Sequence, residues 1–234
     1  MTVSFVIPSY NCAEYLGAAV ESVREQTYKD LEIIVVNDAS EDSTEQYLDW
    51  LTTVEPRAFV ITNDNNLGRS ASRNKGNALA KGEYIFVLDA DDICTPRRVE
   101  LTLPLLKKAA FVHGGAVKVG GLGNEIGPMI TEKFSLEHTK SDPLKQSYIV
   151  HSTVAYTKSI SGEYPYKTEQ VAEFGIDDWD QQMRMAKGGV KFDFTPNYLV
   201  YYRDRSEGIS RMRNLSGTMA LKKELYPDLF EVMA

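Results

Sequence analysis

The 234-residue chain is 43% hydrophobic and 25% charged, the balance of an ordinary globular protein long enough to bury a sizeable core. Its net charge of −7 and pI near 5.1 exclude the gripping of nucleic acid as its main work, because that work needs Lys and Arg to neutralise phosphates. Cys12 and Cys94 stand far apart with no Cys or His at metal-site spacing, so reduced thiols are expected, not a disulfide scaffold or a zinc site.

The first half alternates strand-like and helix-like segments. Residues 3–7 are a short, apolar, β-branched run closed by Pro8, which predicts a buried strand. Within residues 13–26, Leu16, Ala19, Val20 and Val23 recur at helical spacing. Residues 31–36 form a second buried strand, ended by Asn37, Asp38, Ala39 and Ser40. A helix follows over residues 43–51, with Ser40 or Ser43 as its cap. Ala58–Thr62 predicts a third strand. Residues 70–81 predict a third helix, entered through Asn66, Leu67 and Gly68 and closed by Gly82. Residues 84–88 are the fourth strand and run straight into Asp89, Ala90, Asp91 and Asp92.

Beyond Ala109 the pattern loosens. Residues 111–119, 149–157, 190–194 and 198–202 read as strands, and Asp177–Lys187 as a helix stopped by Gly188 and Gly189. Residues 208–226 hold a loop and a final helix. No repeat, linker or low-complexity tract divides the chain, so one α/β domain is expected over residues 1–234. Within it, residues 1–109 would bind a donor, 110–210 an acceptor, and 211–234 would form a C-terminal helix and tail. The opening residues lack a basic start and their apolar run is too short for a signal peptide. No stretch reaches the length of a membrane span, so a cytoplasmic protein is expected, at most recruited to a membrane surface.

Continuous apolar strands separated by helices imply a mostly parallel sheet covered on both faces, and such sheets bind ligands at the carboxyl ends of their strands. The polar clusters fall at those ends: Pro8 to Asn11, Asn37 with Asp38, Asn63 with Asp64, and Asp89 to Asp92. Three carboxylates packed at one strand end repel one another unless a cation or solvent compensates. Hard oxygen ligands of this kind suit Mg²⁺ or Mn²⁺, with substrate phosphates completing the shell. The alternative is a solvated turn whose carboxylates cap the helix after Pro96, with Asp92 as the candidate cap. Asp177, Asp178 and Asp180 open a helix, where negative side chains are favourable in themselves; they read equally as caps or as the source of a general base.

Four motifs in order over residues 3–92 carry a resemblance. Val6, Ile7, Pro8, Ser9, Tyr10 and Asn11 form the first, and the run from Glu32 to Ser40 with Asp42 the second. Asn66, Leu67 and Gly68 with Ala71 to Asn74 form the third, and Gly82, Glu83 and Tyr84 leading into Asp89 to Asp92 the fourth. Together they resemble the family two inverting glycosyltransferases of the GT-A fold, and the similarity continues less tightly to about Ser210. That resemblance implies a Rossmann-like sheet with a mixed acceptor-binding half, a nucleotide-sugar donor (UDP favoured over GDP or dTDP) and a Mn²⁺ or Mg²⁺ cofactor. It implies that Pro8 and Tyr10 line the base pocket, that Asp38 hydrogen-bonds the nucleoside, and that Arg73 contacts base or ribose. Asp89 would sit beside ribose and sugar, and Asp91 with Asp89 would hold the metal.

The same resemblance makes Asp178 the base that deprotonates the acceptor, with Asp177 beside it where relatives more often carry Glu. Trp179 would floor the acceptor site or pack in the core. Many relatives carry a His after the arginine near Arg203; this chain has none there, and Arg203, Arg205 or Arg211 would replace it electrostatically or form a solvated basic loop. His113 and His151 would face the acceptor or be buried and satisfied. The acceptor could be a glycan, a lipid-linked sugar, a protein side chain or a small molecule. A nucleotidyltransferase would need a Gly-rich basic loop near the N-terminus, which is absent from Pro8 to Asn11. A degenerate binding module is disfavoured by the joint presence of Asp38, Asp89, Asp91 and Asp178.

Overall fold

The computed structural model describes residues 3–121, 123–129, 131–141, 149–205 and 215–230. Strands β1 (Val3–Ser9) and β2 (Leu31–Asn37) are apolar on both faces because both faces are covered. Val3, Phe5 and Ile7 join Leu31, Ile33 and Val35 in one core, under helices α1 (Ala13–Arg24) and α2 (Thr44–Val54). Val6, Ile34 and Val36 face the other way, toward helix α3 (Arg69–Leu79). Gly76 permits that close approach: a Cβ there would stand 2.5 Å from Val6 Cγ1 and 3.3 Å from Val36 Cγ2.

Strands β3 (Ala58–Thr62) and β4 (Tyr84–Val87) complete a parallel quartet in the order β3-β2-β1-β4. The remaining strands are β5 (Ile93–Cys94), β6 (Phe111–Gly120), β7 (Glu125–Met129), β8 (Ala155–Thr157) and β9 (Phe192–Asp204). They extend the sheet through β4-β8-β6-β9-β5, with β8 antiparallel to β4 and β6, and β9 parallel to β6. Helices α4 (Arg98–Leu106), α5 (Leu136–Ser141), α6 (Lys158–Glu163), α7 (Gln170–Glu173), α8 (Asp177–Lys187) and α9 (Leu215–Leu225) fill in the rest. A separate apolar cluster joins Trp179 and Met183 of α8 to Leu221, Tyr226 and Leu229. Among the described residues no helix is long and apolar enough to cross a membrane.

The expected mostly parallel α/β sheet with a mixed second half is present; three expected strands differ, and β5, β7 and α5 to α7 are elements the pattern did not show. The strand expected over 149–157 is confined to β8, because the Thr153 hydroxyl and amide both donate to the Val150 carbonyl, at 2.7 and 2.9 Å, and curl residues 151–153 into a 3-10 turn. The two strands expected over 190–194 and 198–202 are one. Its register against β6 slips at Gly114 and Gly115, where Asn197 folds back to donate to the Thr195 hydroxyl at 2.7 Å.

Candidate active site

A cleft of about 770 Å³ opens at the carboxyl ends of β1, β2 and β4, walled by the start of α3, by α7 and by the end of β9. The loops after β1 and β2 are tied together in unusual backbone. Asn11 and Ala39 take φ of 47° and 59°, a region few non-glycine residues enter. The Asn11 amide donates to Ser40 Oγ at 3.0 Å, and the Glu41 amide donates to Asn11 Oδ1 at 2.8 Å. Tyr10, held on this platform, is 45% exposed beside the cleft, so it is no core residue, and Pro8 lines the wall below it.

Asp38, buried at the end of β2, accepts from Asn63 Nδ2 at 2.7 Å, the Leu67 amide at 2.9 Å and the Gly68 amide at 2.8 Å. Three of a carboxylate's roughly four acceptor positions therefore hold the loop that opens α3, and about one remains for a ligand. Asp38 thus fixes the cleft wall and lines the cleft as well.

The strand-end carboxylates divide by burial. Asp89 and Asp91 are part-exposed in the cleft, with side chains 31% and 27% accessible, while Asp92 is buried. Burial opposes the charge of Asp89, but Arg73 at 2.5 Å overrides it and lowers the carboxyl below its ordinary value. Burial and the Asp89 charge together raise the Asp91 carboxyl, which meets Arg205 Nε at 3.5 Å. Asp92 is raised further by burial and its two neighbours; it accepts the Arg203 amide at 2.8 Å. Asp92 therefore ties β4 to β9 and is not the helix cap expected of it: α4 starts at Arg98.

Among the described residues no three His, Cys, Asp or Glu side chains form a ready cage for a metal. The donor set nonetheless fits Mg²⁺ or Mn²⁺, which take one or two carboxylates and complete their shell with phosphate and water. Two part-exposed carboxylates stand side by side, and their mutual repulsion raises one of them.

The second acidic cluster packs onto the first through α3. Asp177 is fully buried and accepts from Arg69 by two nitrogens, from Ser70 Oγ at 2.9 Å and from Arg73 Nη1 at 3.1 Å. Burial works against its charge, yet Arg69 and Arg73 hold the carboxyl well below its ordinary range. Asp178, the next residue, is half-buried; its Oδ1 accepts the Trp179 amide at 2.8 Å, and among the described residues it makes no ion pair.

The family model described as Glycosyl transferase family 2 matches residues 4–164. The chain belongs to that family. It is 30% identical over 218 residues to an uncharacterised glycosyltransferase of Methanocaldococcus jannaschii, covering 90% of this chain and 74% of that one. It is 31% identical over 163 residues to the putative teichuronic acid biosynthesis glycosyltransferase TuaG of Bacillus subtilis, 69% of this chain and 64% of the relative. Of the Streptococcus pneumoniae glycosyltransferase GlyG it covers 33%, at 38% identity over 98 residues, so several relatives are far longer. Among solved structures, S. aureus TarS 1-349 in complex with UDP-GlcNAc superposes with a TM-score of 0.72 at 19% identity, over 89% of this chain and 60% of that one. That likeness establishes the GT-A fold.

Within this glycosyl transferase family 2 frame, several expected site residues are engaged by the protein itself. Arg73 lines the cleft but is 3% exposed and bridges Asp89 to Asp177, so two of its nitrogens are already bonded. Burial disfavours its charge, but the two carboxylates hold its proton firmly. Asp177 is sealed from any acceptor. Trp179 is core, edge-on to Tyr226 with centroids 5.2 Å apart and with Lys222 Nζ 4.2 Å above its ring. His113 is fully buried and accepts the Phe134 amide at 3.2 Å; His151 pairs with the Tyr166 hydroxyl at 3.0 Å. Burial lowers both imidazoles to about 4, so both are neutral packing groups at pH 7. Arg203 is spent on the carbonyls of Asp91 at 2.9 Å and Gly121 at 2.7 Å. Among the described residues Arg205, 26% exposed, is the cation whose side chain pairs with Asp91; Arg211 lies outside the described residues.

Arg69 was missed by sequence reasoning. The expected helix begins one residue too late, at 70; α3 starts at Arg69, four positions before Arg73 and so on its face. Asn74 was missed too: it clamps the Tyr166 backbone from both sides, accepting its amide at 2.9 Å and donating to its carbonyl at 2.8 Å. No sequence signal marks that pairing, which spans 92 residues.

Proposed function

We propose that this chain is an inverting glycosyltransferase that moves a sugar from a nucleotide diphosphate sugar, with UDP the favoured nucleotide, to a hydroxyl of a glycan or lipid-linked glycan. The observation that carries the reading is the pair of part-exposed carboxylates, Asp89 and Asp91, at the carboxyl end of β4 and in one cleft with Tyr10 and Pro8. UDP and UDP-GlcNAc are bound by TarS, whose fold this chain shares, and relatives include a chondroitin synthase and a teichuronic acid glycosyltransferase, which supports a polysaccharide acceptor.

In this reading Tyr10 and Pro8 flank the base, Asp38 keeps the wall in place, and Arg205 meets the diphosphate. Asp91 and Asp89 would hold Mn²⁺ or Mg²⁺, which neutralises charge on the leaving diphosphate. Asp178 accepts the acceptor hydroxyl's proton as that oxygen bonds to the anomeric carbon. The bond from that carbon to the diphosphate breaks on the opposite face, its electron pair leaves with the nucleotide, and configuration inverts.

The test is a panel of UDP-, GDP- and dTDP-sugars with Mn²⁺ or with chelator, followed by nucleotide diphosphate release and thermal shift. Metal-dependent stabilisation by one nucleotide class, lost in Asp91→Ala, is expected. No stabilisation by any nucleotide would overturn the reading.

A further inference from the structure

Two adjacent carboxylates at the start of α8 have opposite surroundings. Asp177 has no exposed surface and receives Arg69, Ser70 and Arg73, all from the first turns of α3. Asp178 is half-buried, and its only partner among the described residues is the amide of the next residue. Both guanidiniums are bonded to Asp177. Arg73 is clamped on its far side by Asp89 at 2.5 Å, so it cannot leave. Arg69 is 25% exposed, lines the cleft, and is held by Asp177 alone among the described carboxylates. Its charge also acts on Asp178. Asp89 already has Arg73 as its partner, so a freed Arg69 has the unpaired Asp178 among the carboxylates its charge reaches.

We propose that Asp177 is a positioning residue: it sequesters Arg69 and Arg73, so that Asp178 stays unpaired and aimed by a helix start locked to α3. The inference rests on Asp178 being the base. It explains why two acids stand in sequence where one proton is moved. The first absorbs the cationic charge of α3, and the second keeps its lone pairs for the acceptor. A carboxylate bonded to a guanidinium is a poor proton acceptor, because the ion pair stabilises its charged form. The same bonds set distance. Arg73 joins Asp89 on the donor side to Asp177 on the acceptor side, so the two acidic clusters sit at opposite ends of one guanidinium.

The test pairs a structural with a kinetic measurement on Asp177→Asn, Asp177→Glu and Asp178→Asn. In a crystal structure of Asp177→Asn, the Arg69 guanidinium is expected within hydrogen-bond distance of Asp178; Arg69 remaining away from Asp178 would overturn the proposal, and this arm needs no donor. In the kinetic arm the probe is UDP-GlcNAc with Mn²⁺ and water as acceptor. Asp177→Asn is expected to lower kcat by about 10- to 100-fold, the scale of a misplaced reacting group, with UDP affinity within about twofold of the parent. Asp177→Glu, which restores the ion pairs, is expected to recover most of that loss. A purely structural role would lower UDP affinity and melting temperature together and would not be repaired by Glu. Full turnover in Asp177→Asn, with Asp178→Asn inactive, overturns the positioning role alone. Full turnover in Asp178→Asn removes the base and this inference with it.

Discussion

The parallel quartet β1 to β4 and the segment from α7 to α9 are held to the molecule by different forces. Phe5, Ile33 and Phe86 bury apolar surface on one face of the quartet and Val6, Ile34 and Ile85 on the other, with the Phe5 and Phe86 rings 5.2 Å apart. The later segment has its own small apolar cluster but is fastened to α3 and the preceding loop by buried ions. Asp177 takes Arg69 and Arg73, while Asp180 takes Arg184 at 2.8 Å, Lys167 at 3.3 Å and the Tyr226 hydroxyl at 2.7 Å. Apolar packing is tolerant of angle, whereas ion pairs and hydrogen bonds fix direction. A donor platform needs to be stable, and a helix that aims a base needs to be oriented; each region uses the force that suits it.

The sharpest way to break this division is through activity. Asp178→Asn is expected to cost about 10²- to 10⁴-fold in nucleotide release from the donor while leaving UDP binding intact, measured by steady-state turnover beside calorimetry. Stability comes next. Phe86→Ala in the quartet should lower the unfolding free energy by about 3–5 kcal/mol in urea melts, from lost burial plus the cavity left behind. Asp180→Ala should cost less, about 2–3 kcal/mol, because Arg184 and Lys167 are part-exposed and regain water. If the two regions unfold as one unit, both variants shift a single transition; two transitions would show that the ionic segment comes away first.

A third contrast is a response to acid. Burial lowers the His113 imidazole from 6.5 to about 4, so below pH 6.5 the unfolded chain takes up a proton that the folded chain refuses. Stability should therefore fall as pH drops from 6.5 toward 4, by up to about 1.4 kcal/mol per pH unit from this residue. His113→Gln should flatten that part of the slope in melts run at pH 7 and 4.5.

The same contrast decides what could be read from the residues alone. Strands β1 to β4 were legible because burial on both faces writes continuous apolar runs, and the site motifs sit at their ends. Ala58–Thr62 and Asp177–Lys187 fall where their patterns place them. Spacing could not distinguish a carboxylate that faces the cleft from one that holds the scaffold. Asp38, Arg73 and Asp177 look like ligand contacts in sequence, yet each also holds the scaffold through partners up to 108 residues away, which spacing cannot reveal. The 3-10 turn over residues 151–153 was invisible for a related reason: it depends on one threonine hydroxyl finding a carbonyl.

Asp38 has a kinetic consequence. One carboxylate pins the amides of Leu67 and Gly68, 29 and 30 residues further along, and so settles the cleft wall when the chain folds. The conformational entropy of that wall is surrendered before any nucleotide arrives, and binding has none of it left to lose. The residues around Leu67 and Gly68 should then add no slow ordering phase to nucleotide association. Differences in affinity between nucleotides should appear in how fast each one leaves.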